Sequence, residues 1–284
     1  MSFDAFIAID WSGNKQPRYK GISVARCEPG RGGPSLTRSR SGQWTRTEIV
    51  EWLDHEISSG KRLLIGFDFA FGFPYEPKLG YLGGRARKIE SIFALWDLID
   101  GASCDDADFG CSGMVAAYSS LFWTTGPRPA RWIERKRLAE RACAGATETY
   151  PESLYKLLYS KQVGKASMTG IRVLNELRRR HPGRFSVWPF DKPDGSVAVE
   201  IYPTLFRKRA TDIVKKIKDS QVLNDALQKL GSRAAEGVAG AISDHDGDAL
   251  ISAAGLREMA GRPEVWRAPP SVRREGWIFG VPFA

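Results

Sequence analysis

Apolar residues of this chain fall first into short unbroken runs and later into helical spacing. The run Phe3-Asp4-Ala5-Phe6-Ile7-Ala8-Ile9-Asp10 predicts a strand, ended by the turn-forming Trp11-Ser12-Gly13-Asn14. Residues 19–26 predict a second strand, and 34–38 a third after the glycines at 30–33. Thr45 or Thr47 then opens an amphipathic helix with Ile49, Val50, Trp52, Leu53 and Ile57 on one side, and Gly60 stops it. Residues 62–70 form a continuous apolar run of strand length, as expected for a strand buried on both faces, and only Asp68 interrupts it. Three strands, a helix and a buried fourth strand predict an α/β fold around a mixed sheet. From about 75 to 184 the pattern turns helical and irregular, with helices expected near 85–100, 128–144, 151–161 and 168–181 and a loop over 101–127. Strands return at 185–190 and 196–202. The turn Lys192-Pro193-Asp194-Gly195 between them predicts a hairpin. Helices over 204–230 and 243–260 and a terminal strand near 277–281 complete the reading. One domain over 1–284 is expected, its core at about 1–74 and 185–284 and a helical basic insert at about 75–184.

The length of 284 residues allows such a core. No run approaches the roughly 20 apolar residues that span a bilayer, so no membrane partner is expected. The start Met1-Ser2-Phe3-Asp4 has no signal-peptide pattern, and four cysteines without scaffold spacing suit a reducing compartment. A cytoplasmic location is the expectation. Charge adds more. The net +9 is unevenly spread: residues 128–218 hold 21 basic and 9 acidic groups, a net +12, while the rest is slightly acidic. A basic block of that size favours polyanionic partners, nucleic acid first.

Phosphate-loop, dinucleotide-binding and H-E-x-x-H motifs are absent. Cys104 and Cys111, near Asp105, Asp106 and Asp108, read as part of an acidic loop ahead of a zinc site. Carboxylates at element ends remain: Asp10, Asp68, Glu200 and the group Asp244, Asp246 and Asp248 at the start of a helix. Each has a structural alternative. Asp10 can open an Asx-turn, Glu200 can face solvent on an edge strand, and acids in a first turn suit the helix dipole beside a Ser243 cap. Together they are costly to bury unless a cation compensates. Mg²⁺ prefers oxygen ligands, and two such ions can activate water and stabilise a leaving oxygen in phosphodiester cleavage.

These segments resemble known families. Ala8-Ile9-Asp10-Trp11-Ser12-Gly13 resembles the opening of RNase H-like folds, notably the RuvC resolvase branch, and residues 246–254 resemble that branch's final helix. Gly66-Phe67-Asp68-Phe69-Ala70-Phe71-Gly72-Phe73-Pro74 and Val199-Glu200-Ile201-Tyr202-Pro203 are more similar to the domain-of-unknown-function family 429, whose members are described as predicted RNase H-like nucleases. The resemblance covers residues 4–74 and 196–260. It implies an RNase H-like five-stranded mixed sheet, with Asp10, Asp68 and Asp248 as metal-site carboxylates for Mg²⁺ or Mn²⁺. Glu200 is implied as a possible fourth catalytic carboxylate. His245 stands where resolvases place a second ligand, three residues before the final aspartate, flanked by Asp244 and Asp246.

Beside such a site, Arg128, Arg131, Arg135, Lys136, Arg207, Lys208 and Arg209 are expected to hold a nucleic-acid backbone. Single clusters of this kind also read as solvated helical faces. Trp123, Trp132 and Trp188 could stack bases but read more readily as core. The expected activity is metal-dependent phosphodiester hydrolysis on DNA or RNA. The alternatives are a nucleic-acid binder without turnover and, less favoured, an actin-like small-molecule phosphotransferase.

Overall fold

The computed structural model describes residues 2–15, 19–85, 89, 91–130, 132–149, 151–158, 163–211, 216–268 and 270–283. The N-terminal apolar runs form β1 (Ala5–Asp10), β2 (Ser23–Cys27) and β3 (Ser35–Thr37), paired antiparallel in sequence. Thr45 caps α1 (Arg46–Ser58) in a capping box: its side chain accepts from Glu48 N, and the Glu48 carboxylate accepts from Thr45 N. The chain then enters β4 (Leu63–Phe67), which runs parallel to β1.

Beyond β4 come α2 (Ile92–Ala102), α3 (Ser112–Ala117), α4 (Leu138–Thr147) and α5 (Val163–Arg180). The second half adds β5 (Phe185–Val187), β6 (Ser196–Glu200), α6 (Pro203–Ala210), α7 (Ser220–Lys229) and α8 (Asp244–Ala260). Among the described residues the sheet has six strands rather than five, in the order β3-β2-β1-β4-β6-β5.

Strand alternation divides the core into two layers. Ile7, Ile9, Ile65, Phe67 and Ala198 pack with the apolar sides of α1 and α5. Ala8, Leu64, Val197, Val199 and Ile201 pack with α6, α7 and α8. α5 lies inside the region read as an insert, yet it covers one face of the sheet and belongs to the core.

Several expectations are corrected. β5 and β6 pair parallel, with Phe185 opposite Ser196, and so form no hairpin. Phe190 N and Asp191 N both donate to Val187 O, so the chain reverses there, runs back through 192–194, and turns forward again at Gly195. Ser186 ties that return segment down by exchanging hydrogen bonds with Asp194. The helix expected over 128–144 is confined to Leu138–Thr147, and the described part of 151–161 is not helical. The single helix expected over 204–230 is split into α6 and α7. The expected terminal strand makes one parallel bridge, Ile278 to Glu200. Among the described residues, no helix is long and apolar enough to cross a membrane.

Candidate functional site

β1 and β4 end side by side, and their ladder extends one step further where Asp68 N donates to Ile9 O at 3.0 Å. Asp10 thereby reaches the same sheet end as Asp68, on the face covered by α8. Asp248 is buried in the second turn of α8, which crosses β1 and β2. Residues separated by up to 238 positions therefore act on one another. Asp68 and Asp10 share a hydrogen bond, and both Asp10 and Asp248 impose their charge on Asp68. Burial, then the Asp10 charge, then the Asp248 charge hold the Asp68 carboxyl well above the usual carboxylate range. Part of the Asp68 surface stays accessible, although protein atoms crowd its carboxyl.

Three cationic groups answer these acids. His245 lies one helical turn before Asp248, on the same side of α8, and its Nδ1 meets Asp10 Oδ2 at 2.5 Å. That hydrogen bond holds the imidazole above its ordinary value, and the Asp10 and Asp244 charges add to it against burial. Arg207 of α6 donates to Asp248 Oδ1 at 3.0 Å, and the Lys216 ammonium pairs with Asp248 Oδ2. Burial raises the Asp248 carboxyl, while Lys216 pulls it back.

The place of Lys216 is set by its neighbours in sequence. Ile217 is buried, and Lys218 O accepts from Ile242 N at 3.0 Å. A Cβ on Gly247 would stand 2.5 Å from Ile217 O, so only glycine lets this segment lie against the first turns of α8. Gly247→Ala is expected to force the two apart and cost about 1–3 kcal/mol in urea denaturation, the usual range for overpacking.

The loop after β1 is pinned by Arg46. Its buried guanidinium donates to the carbonyls of Ser12 (2.8 Å) and Asn14 (2.7 Å) and to Tyr19 Oη (2.7 Å). Asp108 accepts from Arg46 N and Thr47 N at the start of α1, and Asp106 accepts from Gly113 N. The acidic loop thus spends two of its aspartates on backbone donors.

Other expected site residues lie elsewhere. Asp246 turns toward β2 and β3, where Ser23 Oγ donates to it at 2.5 Å and Arg38 lies 3.6 Å away. Glu200 is not brought to the aspartates. It alternates with Val199 and Ile201 and faces the opposite layer, where Arg137 grips it by two hydrogen bonds, 2.8 and 2.5 Å, and Phe71 N donates at 3.0 Å. Arg137 also bonds Glu140, and this buried triad is a structural ion cluster. Burial raises the Glu200 carboxyl, and Arg137 opposes that rise.

Among the residues expected to hold phosphates, Arg207 is corrected outright: it is buried on Asp248 and Thr204 and presents no surface to a polyanion. Arg131 lies outside the described residues. Arg135 pairs with Glu76 at 2.8 Å, Lys136 with Glu134 at 3.5 Å, Lys208 with Glu148 at 3.8 Å and Arg209 with Glu258 at 3.5 Å. Arg128 is exposed and stacks over Trp132. Trp188 is buried against Trp266 and Phe279, and Trp123 packs on Trp132. A cleft of about 500 Å³ is walled by Arg135, Lys136, Arg141, Arg274, Tyr75 and Glu275. The segment Tyr75–Pro77 in its wall follows Asp68 out of the same end of β4.

Among the described residues, no group of three His, Cys, Asp or Glu side chains is arranged to hold a metal ion. In donor type the three aspartates suit a hard divalent cation, and their mutual repulsion leaves negative charge to neutralise. In the arrangement described, His245, Arg207 and Lys216 carry out that neutralisation. Comparison with protein-family models, with curated proteins and with solved structures finds no match for this chain.

Proposed function

We propose that this chain is a metal-dependent phosphodiesterase of RNase H-like type acting on nucleic acid, with Asp10, Asp68 and Asp248 as its metal-holding carboxylates. One observation carries the reading. Three acids from distant parts of the chain meet at one sheet end, where Asp10 and Asp248 raise the proton affinity of Asp68 and Asp10 raises that of Asp248. The C-terminal end of parallel strands is also where open α/β sheets place their ligands. The antiparallel β1-β2-β3 unit followed by a helix and a buried parallel strand agrees with the resemblance in the sequence.

Each residue then has a role. Asp10 and Asp68 present oxygens from neighbouring strand ends, and Asp248 supplies a third from the helix. His245 orients the Asp10 carboxylate through its Nδ1 contact. Arg207 fixes one oxygen of Asp248. Mg²⁺ or Mn²⁺, when bound, supplies the positive charge that phosphodiester hydrolysis needs at the phosphate oxygens. The cleft with Lys136, Arg141 and Arg274 offers the substrate backbone a path, because Arg141 and Arg274 have no carboxylate partner among the described residues.

Incubation with single-stranded, duplex and branched DNA and with RNA, in Mg²⁺ or Mn²⁺, tests the reading. Expected is metal-dependent cleavage that falls about 100-fold or more in Asp10→Asn and Asp68→Asn, at least the scale of losing one transition-state electrostatic contact. Cleavage surviving in both variants, or none on any substrate, overturns it. Tight, salt-sensitive binding without turnover would favour a nucleic-acid binder.

A further inference from the structure

The two cations on Asp248 are held differently. Arg207 is buried, and its guanidinium is also bonded to Thr204 Oγ1 at 3.0 Å, so it is a fixed partner. Lys216 has a backbone fastened through Ile217, Lys218 and the close approach of Gly247, but its side chain is 47% exposed. Among the described residues its ammonium pairs with Asp248 alone. A long flexible stem on a fixed anchor lets the ammonium leave without moving the fold. Its charge also reaches Asp10 and Asp68, so it serves the whole acidic group.

We infer that Lys216 is an exchangeable counter-ion, which occupies the carboxylate group in the absence of a divalent ion and is displaced to solvent when one binds. This rests on the metal-site reading above. Two consequences follow from charge and exclusion alone. Removing Lys216 leaves the acids under-neutralised, so the metal-free protein loses stability while its affinity for a divalent cation rises. Displacing it frees a positively charged amine beside the carboxylates, able to attract a substrate phosphate.

Mn²⁺ itself is the probe. Calorimetry on the full chain should give roughly tenfold tighter Mn²⁺ binding for Lys216→Met, within the range typical of coupled sites. Lys216→Arg, which keeps the charge, should stay near wild type. Thermal unfolding in EDTA should place Lys216→Met below wild type. Acylation of lysines, read by peptide mass spectrometry, should be slow at Lys216 in EDTA and several-fold faster in saturating Mn²⁺. In Asp248→Asn it should be fast with or without metal.

If wild type binds Mn²⁺ but Lys216 acylation does not respond and Lys216→Met binds no tighter, the exchange is wrong and the metal site stands. If neither wild type nor Lys216→Met binds Mn²⁺, the metal reading fails and takes this inference with it.

Discussion

Arg137→Met is expected to destabilise the protein by about 3–5 kcal/mol, the cost of removing one member of a buried ion pair. Arg137 is fully buried and bonds Glu140, both oxygens of Glu200 and the Glu275 carbonyl. Burial opposes its charge, but Glu140 and Glu200 outweigh that and hold the guanidinium charged. Methionine matches the stem and removes every donor, leaving two buried carboxylates that repel each other. Urea denaturation monitored by tryptophan fluorescence measures the loss. A change below 1 kcal/mol would show that the triad is not what ties β6 to α4. The same experiment separates two roles for Glu200. Glu200→Gln should lower stability, with any activity lost in proportion to the folded fraction. A loss of turnover at unchanged stability would return Glu200 to the reaction.

The case of Glu200 also shows how far the chain alone could be read. Asp10 and Asp68 were legible because each is a carboxylate in an apolar strand run, and such a run dictates a strand whatever lies around it. The place of His245, three residues before Asp248, was legible only through the resemblance to resolvases, and its partner proved to be Asp10 on β1. Glu200 looked equivalent, but β6 is apolar on both faces. Its alternation therefore cannot say which layer a side chain enters; only the register against β4, Phe67 opposite Glu200, decides that. Direction was hidden in the same way at β5 and β6, where a turn sequence closes a return loop instead of a hairpin. Lys216 carried no local sign. It stands in Lys215-Lys216-Ile217-Lys218 among chemically identical neighbours, and its selection depends on Gly247 admitting that segment. The basic block misled for a related reason. Its excess is real in the sequence, yet many of its arginines and lysines are consumed by carboxylates brought in from elsewhere, such as Asp100, Glu51 and Asp248.

Asp68→Asn should abolish turnover and at the same time stabilise the fold, a combination that a structural aspartate cannot produce. In the unfolded chain the Asp68 carboxyl has its ordinary proton affinity. In the folded protein, burial and the Asp10 and Asp248 charges raise it well above that. Between the two values the native state holds a proton that the unfolded state has released. The stability due to this group is therefore greatest in acid and declines as pH rises toward the folded value. Asparagine has no charge to repel and retains a donor for the hydrogen bond to Asp10. The variant should gain about 0.5–2 kcal/mol at pH 8, the usual yield of a stabilising substitution, and the gain should shrink as the pH falls into the acid range. Denaturation at several pH values gives the curve directly. Added Mn²⁺ should narrow the difference, because a ligand that binds only the native wild-type site stabilises it by mass action. A variant less stable than wild type at pH 8, or a gain independent of pH, would mean that Asp68 is held for packing and that the three carboxylates do not form a functional group.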